Sequence, residues 1–259
     1  MSPVGSTPRI AWRLATVIDV VPETPRTRTL VLDVPDWPGH RAGQHVDVRL
    51  TAEDGYQAER SYSIASAPED ARLALTIERL EDGEVSTYLA DDLRPGDKFE
   101  LRGPIGGYFV WDIPVGGPLF LVAGGSGIVP LMAMLRHRDA ALARAGIDRQ
   151  RLPARLLYSS RRWDEVIYRG ELARFAETDT TLEVVHTLTR EQPEGWTGLR
   201  RRIDRAMLEE VAWPASEQPR AFVCGPTPLV EAVAAALVEL GHQPAFVKTE
   251  RFGPTGGAV

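Results

Sequence analysis

Between residues 10 and 110, apolar and polar positions alternate in short runs separated by glycine, proline and acidic turn residues. Thr29-Leu30-Val31-Leu32, His45-Val46-Asp47-Val48, Leu73-Ala74-Leu75-Thr76-Ile77 and Phe99-Glu100-Leu101 are such runs. A period of two sends successive side chains to opposite faces, so each run predicts a half-buried strand and the set predicts an antiparallel Greek-key barrel or sandwich. One short helix is expected at Ser86-Thr87-Tyr88-Leu89-Ala90, where a hydroxyl residue can cap the first turn.

The rhythm changes after Asp112-Ile113-Pro114-Val115-Gly116-Gly117-Pro118, a segment dense in proline and glycine. Beyond it, apolar runs at Leu119 to Ala123, Arg155 to Tyr158, Leu182 to Val185, Ala221 to Cys224 and Ala245 to Val247 alternate with stretches of helical period. Strands apolar on both sides, separated by helices, predict a parallel sheet covered on both faces. The clearest helix is Leu229 to Leu240, rich in alanine and closed by Gly241. The expected organisation is a leader at 1–9, a β-barrel domain at 10–111, a linker at 112–118, and a Rossmann-like α/β domain with a five-stranded parallel sheet at 119–259.

Composition narrows the functions that fit. No apolar run approaches the ~20 residues that cross a bilayer, and the first residues hold two prolines and no signal-length apolar core, so a cytoplasmic protein is expected. A formal net charge of -6 argues against nucleic acid as a partner. Cys224 is the single cysteine, which excludes an internal disulfide and any iron–sulfur cluster held by four cysteines of this chain. His40, His45, His137, His186 and His242 are dispersed, and no metal site is expected.

Three segments carry candidate chemistry. Arg60-Ser61-Tyr62-Ser63-Ile64-Ala65-Ser66 places a cation, an aromatic face and hydroxyls on one expected strand, with Arg60, Tyr62 and Ile64 on one side and Ser61, Ser63 and Ala65 on the other. Those groups suit a phosphate joined to a flat ring, although an ordinary edge strand has the same composition. Gly124-Gly125-Ser126-Gly127-Ile128-Val129-Pro130 follows the first parallel strand and precedes a helix expected to begin near Leu131. Bare backbone amides there would bind an anion, or the glycines simply turn strand into helix. Pro130 replaces the third glycine of the usual dinucleotide fingerprint. Cys224-Gly225-Pro226 closes the fourth parallel strand, at the same carboxyl edge of the sheet as the glycine loop.

Taken in order and spacing, RSYSIAS, Gly83-Glu84-Val85-Ser86, Gly103-Pro104-Ile105-Gly106, GGSGIVP and CGP resemble the ferredoxin–NADP⁺ reductase superfamily over nearly the whole chain. The resemblance implies a flavin-binding barrel, a nicotinamide-binding sheet and hydride passage between two rings at their junction. It implies that Arg60 pairs with the flavin phosphates, Tyr62 stacks on the isoalloxazine and Ser63 bonds near its redox-active nitrogen. Gly83, Val85, Ser86 and Thr87 would hold the pyrophosphate, with Ser61, Ile64, Thr76, Ile77 and Glu78 as further flavin-side positions. Gly125, Ser126, Gly127, Ile128, Cys224, Gly225 and Pro226 would receive the nicotinamide half. In the same resemblance Glu250 relays protons or shapes the pocket and Phe252 shields the ring, making Ser63, Cys224 and Glu250 the catalytic set. A frayed end is the alternative for that tail.

Glu78 departs from the pattern, since many relatives carry a basic residue there; either Arg79 compensates or the adenylate end sits differently, which leaves FMN as an alternative to FAD. On the nicotinamide side, Ser160, Arg161 and Tyr168 fall where the resemblance puts the 2′-phosphate and adenine of NADPH, although a solvated loop is as simple a reading. All but two of the 30 basic residues are arginines, the exceptions being Lys98 and Lys248, so arginine alone separates NADPH from NADH weakly. Arg200, Arg201, Arg202 and Arg205 form either a solvated face or a dock for an acidic ferredoxin or flavodoxin. The expected function is NADPH oxidation through FAD with electrons passed to such a protein. The alternatives are a reductase of free flavin or quinone and a non-catalytic flavin-binding subunit.

Overall fold

The computed structural model describes residues 10–253; the expected leader at 1–9 and Pro254 of the tail lie outside the described residues. Six strands build the first sheet: β1 Trp12–Thr24, β2 Thr27–Asp33, β3 His45–Thr51, β4 Gln57–Ser63, β5 Leu73–Glu78 and β6 Lys98–Ile105. They are antiparallel in the order β4-β3-β6-β1-β2-β5. A bridge between Ile64 and Leu75, with the Ala65 amide donating to the Ala74 carbonyl at 2.8 Å, joins the two ends and closes the sheet into a barrel. Leu30, Leu32, Val46, Val48, Leu75, Ile77 and Leu101 fill its interior, the alternate positions that the period of two assigns to one face.

Five strands form the second sheet, all parallel: β7 Leu119–Gly124, β8 Ala154–Ser160, β9 Leu182–Leu188, β10 Arg220–Pro226 and β11 Val247–Phe252, in the order β11-β10-β7-β8-β9. Helices α2 Ile128–Ala145, α3 Arg169–Thr178, α4 Arg205–Val211 and α5 Thr227–Glu239 alternate with them. The chain winds from β7 outward to β9 and then returns to β10 on the other side of β7. This reversal opens a crevice at the carboxyl ends of β7 and β10, where ligands bind in sheets of this kind. β7 is buried at all six positions, as its unbroken apolar run requires.

Several boundaries differ from the sequence expectation. The helix of the first domain, α1, covers Glu84–Thr87 and continues as a wider turn at Tyr88–Asp92; its N-cap is Gly83, so Ser86 lies inside the turn and caps nothing. Helix α2 starts at Ile128, because Pro130 falls in the first turn, where a missing N–H costs no bond. β11 starts at Val247, since Pro244–Phe246 forms a 3₁₀ turn. The 13-residue β1 escaped the pattern because register shifts at Val17/Asp19 and Pro22/Thr24 interrupt its alternation.

The two sheets meet along a seam. Phe109 and Phe222 pack edge to face with centroids 5.4 Å apart. His137 on α2 bridges Glu69 at 2.8 Å and Asp112 at 3.0 Å. Lys248 donates to the Val110 carbonyl at 3.3 Å.

Candidate active site

Ser63 is the last residue of β4, at the mouth of the barrel, and its hydroxyl donates to Glu250 Oε1 at 3.3 Å. Glu250 lies on β11 and is the register partner of Cys224 on β10. The three residues assigned to catalysis therefore converge where the barrel faces the crevice. Burial pushes the Glu250 carboxyl up to about 7, a shift that the Ser63 hydrogen bond partly opposes. The Cys224 thiol is buried and raised well above its ordinary value, first by burial and then by the charge of Glu250. A thiol so placed stays protonated at neutral pH and acts as a small packing group, not a nucleophile.

The alternation expected for β4 holds. Ser61 pairs with Asp47 and donates to its carboxylate at 2.6 Å on the outer face, whereas Arg60 and Tyr62 pair with the buried Val48 and Val46. Tyr62 packs against the barrel core, and burial pushes its phenol up to about 12. Arg60 is exposed and donates to the Glu59 carbonyl at 2.7 Å; its guanidinium forms no ion pair with any described residue. Ile64 and Ile77 are core residues and Thr76 is buried. Arg79, the residue expected to compensate for Glu78, pairs with Asp91 at 3.1 Å on the exposed surface.

Around α1, Val85 is buried, Ser86 accepts the Leu80 amide and donates to the Gly83 carbonyl, both at 3.1 Å, and Thr87 donates to the Leu80 carbonyl at 3.3 Å. These hydroxyls hold the turn, and no side chain caps its first-turn amides. Gly83 is required here because a Cβ would stand 2.3 Å from Ser86 Oγ.

The glycine loop touches the Cys224 loop directly. A Cβ on Gly127 would lie 2.1 Å from the Cys224 carbonyl oxygen, and one on Gly225 would lie 3.2 Å from Gly124 Cα. These glycines bring two carboxyl-edge loops together. Gly125 differs, with φ +55 and open space where its Cβ would be, which exposes backbone beside Ser126 at the start of the 18-residue α2. Ile128 is buried, Pro226 is exposed, and Phe252 pairs with Pro226 in register at the end of β11.

At the end of β8, Ser160 is buried and its carbonyl accepts the Thr189 amide at 2.9 Å, while the Arg161 carbonyl accepts the Arg190 amide at 3.0 Å. Arg161 and Arg190 thus emerge side by side, exposed, and neither forms an ion pair with a described residue. Arg162 is held by Glu191 at 3.0 Å. Sequence reading missed Arg190, because only the β8-β9 adjacency brings it to Arg161. The Tyr168 ring is buried beneath Arg136, 4.8 Å from the centroid, and its hydroxyl donates to Thr76 across the seam. Among the described residues, no cluster of three or more His, Cys, Asp or Glu could hold a metal ion, and no helix is long and apolar enough to cross a membrane.

Residues 15–110 match the family model described as oxidoreductase FAD-binding domain, and residues 121–235 match the oxidoreductase NAD-binding domain. Fold and paired sites thus define an oxidoreductase with a flavin-binding and a nicotinamide-binding half. Ferredoxin–NADP reductase B of Sorangium cellulosum is 33% identical over 246 residues, covering 92% of this chain and 96% of the relative, and the chain belongs to the ferredoxin–NADP reductase family. The glycine betaine monooxygenase reductase subunit of Chromohalobacter salexigens is 33% identical over 247 residues and 93% of this chain; the chain spans 64% of that relative's length. The structure of a ferredoxin NADP⁺ reductase from Neisseria gonorrhoeae with bound FAD and NADP shares the fold at a TM-score of 0.76, with 22% identity, 93% of this chain and 98% of the other covered.

Proposed function

We propose that this chain oxidises NADPH through bound FAD and passes the electrons to a separate ferredoxin- or flavodoxin-like protein, as a reductase component. The observation that carries the reading is the Ser63–Glu250 contact beside Cys224, which joins the end of the barrel strand to the crevice of the sheet. FAD, when bound, accepts electrons as a pair and releases them singly, which a nicotinamide cannot do.

The donor set fits both groups. On the flavin side, exposed Arg60 suits the phosphates, the uncapped amides of α1 suit the pyrophosphate, and Tyr62 offers an aromatic face one residue before Ser63. On the nicotinamide side, the open backbone at Gly125 and the start of α2 suit the pyrophosphate. Arg161 and Arg190 suit a 2′-phosphate and favour NADPH over NADH.

Within the site, Ser63 and Glu250 control one proton. When ionised, Glu250 accepts the Ser63 hydrogen; when protonated, it can donate to the Ser63 oxygen and free that hydroxyl to donate elsewhere. Cys224 and Phe252 contribute bulk that excludes water, which keeps reacting groups in a dry and fixed geometry. The monooxygenase reductase relative supports a protein acceptor.

Anaerobic stopped-flow mixing of the FAD-loaded protein with NADPH is expected to bleach the flavin absorbance, and turnover with ferredoxin or flavodoxin is expected to exceed turnover with free flavin or quinone. A colourless protein that cannot be loaded with FAD would reject the reading. Preference for small acceptors would reject the protein partner.

A further inference from the structure

We propose that Arg136 and Tyr168 are positioning residues that hold the glycine loop and Ser63 at one fixed separation and so set the rate of transfer between the two rings. The inference rests on the function proposed above and goes beyond it, because it assigns both residues a role at the seam between the two halves.

Helix α2 is the rigid member. It begins at Ile128, directly after the glycine loop, and Arg136 follows eight residues later, ~12 Å along the axis. There Arg136 Nη1 donates to the Ala65 carbonyl at 2.6 Å, two residues beyond Ser63. Its Nε and Nη2 form a fork on Glu171 of α3, at 2.9 and 2.6 Å, and its guanidinium covers the Tyr168 ring. One side chain therefore ties the flavin-side strand to the helix that carries the nicotinamide-side loop.

Tyr168 supplies a second anchor. Its backbone is left-handed, at φ +58, a conformation that bulky residues adopt only where the surroundings impose it. This geometry turns the ring into the seam, where the hydroxyl donates to Thr76 Oγ1. Thr76 and Thr29 hydroxyls are 2.8 Å apart, and Thr29 donates to Glu23 at 2.8 Å. Each hydroxyl has one hydrogen, so the chain runs in a single direction, from Tyr168 through Thr76 and Thr29 to the Glu23 carboxylate. Thr76 lies on β5 beside Leu75, the bridge partner of Ile64. Both anchors therefore grip the segment that follows Ser63, one on each strand of its closing bridge.

The fork on Glu171 orients the guanidinium, so that its bond to the Ala65 carbonyl and the one-way hydroxyl chain both cross the seam in fixed directions. A small error in placement is amplified in the rate of a step that depends on near contact.

The test uses FAD-loaded wild type, Tyr168→Phe, Thr76→Val, the double variant and Arg136→Lys. Flavin reduction is followed over a range of NADPH concentrations, and hydrogen exchange is measured on the same proteins without added nicotinamide. Tyr168→Phe is expected to lower the limiting reduction rate at least tenfold, to leave the half-saturating NADPH concentration within threefold, and to speed exchange across residues 64–76 at least fivefold. The double variant is expected to be no slower than Tyr168→Phe alone, and Arg136→Lys, which keeps charge but not the fork, to reduce flavin more slowly than wild type. A limiting rate within twofold of wild type would overturn the proposal, as would exchange unchanged across residues 64–76. Should an Arg136 variant fail to fold, the single hydroxyl removed in Tyr168→Phe still decides the matter. Failure of NADPH to reduce wild-type flavin would instead reject the function proposed above.

Discussion

Ser63 and Glu250 stand 187 residues apart in the chain, yet the hydroxyl of one donates to the carboxylate of the other at 3.3 Å. The contact exists because a barrel strand ends at the mouth of a crevice created by reversed strand order. Because burial raises the Glu250 carboxyl from 4.5 to about 7, the folded state holds a proton there that the unfolded chain has released. Stability from this group is therefore present below pH 4.5 and lost as pH rises to about 7. In thermal melts without ligands, Glu250→Gln is expected to match wild type at pH 4.5 and to exceed it above pH 7 by roughly 1–2 kcal/mol, after discounting for the partial exposure of the group. Equal stability of the two proteins at pH 8 would contradict the assignment.

The cysteine beside this pair should be chemically quiet. Cys224 is 2% exposed and its thiol is raised by burial and by Glu250. Alkylation by iodoacetamide at pH 7.5 is expected to be more than about tenfold slower in the native protein than in the urea-unfolded chain. Comparable labelling rates would show an open, ionised thiol.

Two glycines of one loop should respond differently to the same substitution. Gly127→Ala drives a methyl to 2.1 Å from the Cys224 carbonyl oxygen, backbone against backbone, and is expected to cost more than about 2 kcal/mol in denaturant unfolding. Gly125→Ala meets open space and only the left-handed backbone penalty, about 1–2 kcal/mol. Gly125→Ala should therefore fold and bind nicotinamide more weakly, because its methyl occupies the exposed backbone. The reverse order of stabilities would contradict the loop geometry.

Selection of the nicotinamide should reside in two arginines from neighbouring loops. Removing Arg161 or Arg190 is expected to lower kcat/KM for NADPH about tenfold while NADH changes less than about threefold, from the usual strength of a hydrogen bond to a charged group. Steady-state kinetics with both donors decide it; equal losses would assign the arginines a general role.

Much of the fold was legible because burial imposes simple periods. Val46 and Val48 alternate with polar neighbours, and β7 is apolar throughout, so barrel and parallel sheet were each visible. β1 was hidden by its register shifts, and the start of α1 by Gly83, whose lack of a side chain accommodates Ser86 Oγ. Within the candidate site, Ser63, Cys224 and Glu250 were singled out because each lies in or next to a recognisable local motif. Arg136 and Arg190 were not, since their value depends on which element lies beside them in space. The seam position of Tyr168 was not legible either: its left-handed backbone directs the ring there, and no periodicity reports that in an aromatic residue.

The most direct test of the account is a crystal structure of the protein with FAD and a nicotinamide cofactor bound together. The isoalloxazine is expected against Tyr62, its edge at Ser63, and the nicotinamide beside Cys224 and Glu250 with the two rings face to face. Either ring seated on another surface, with Ser63 and Glu250 touching neither, would contradict it.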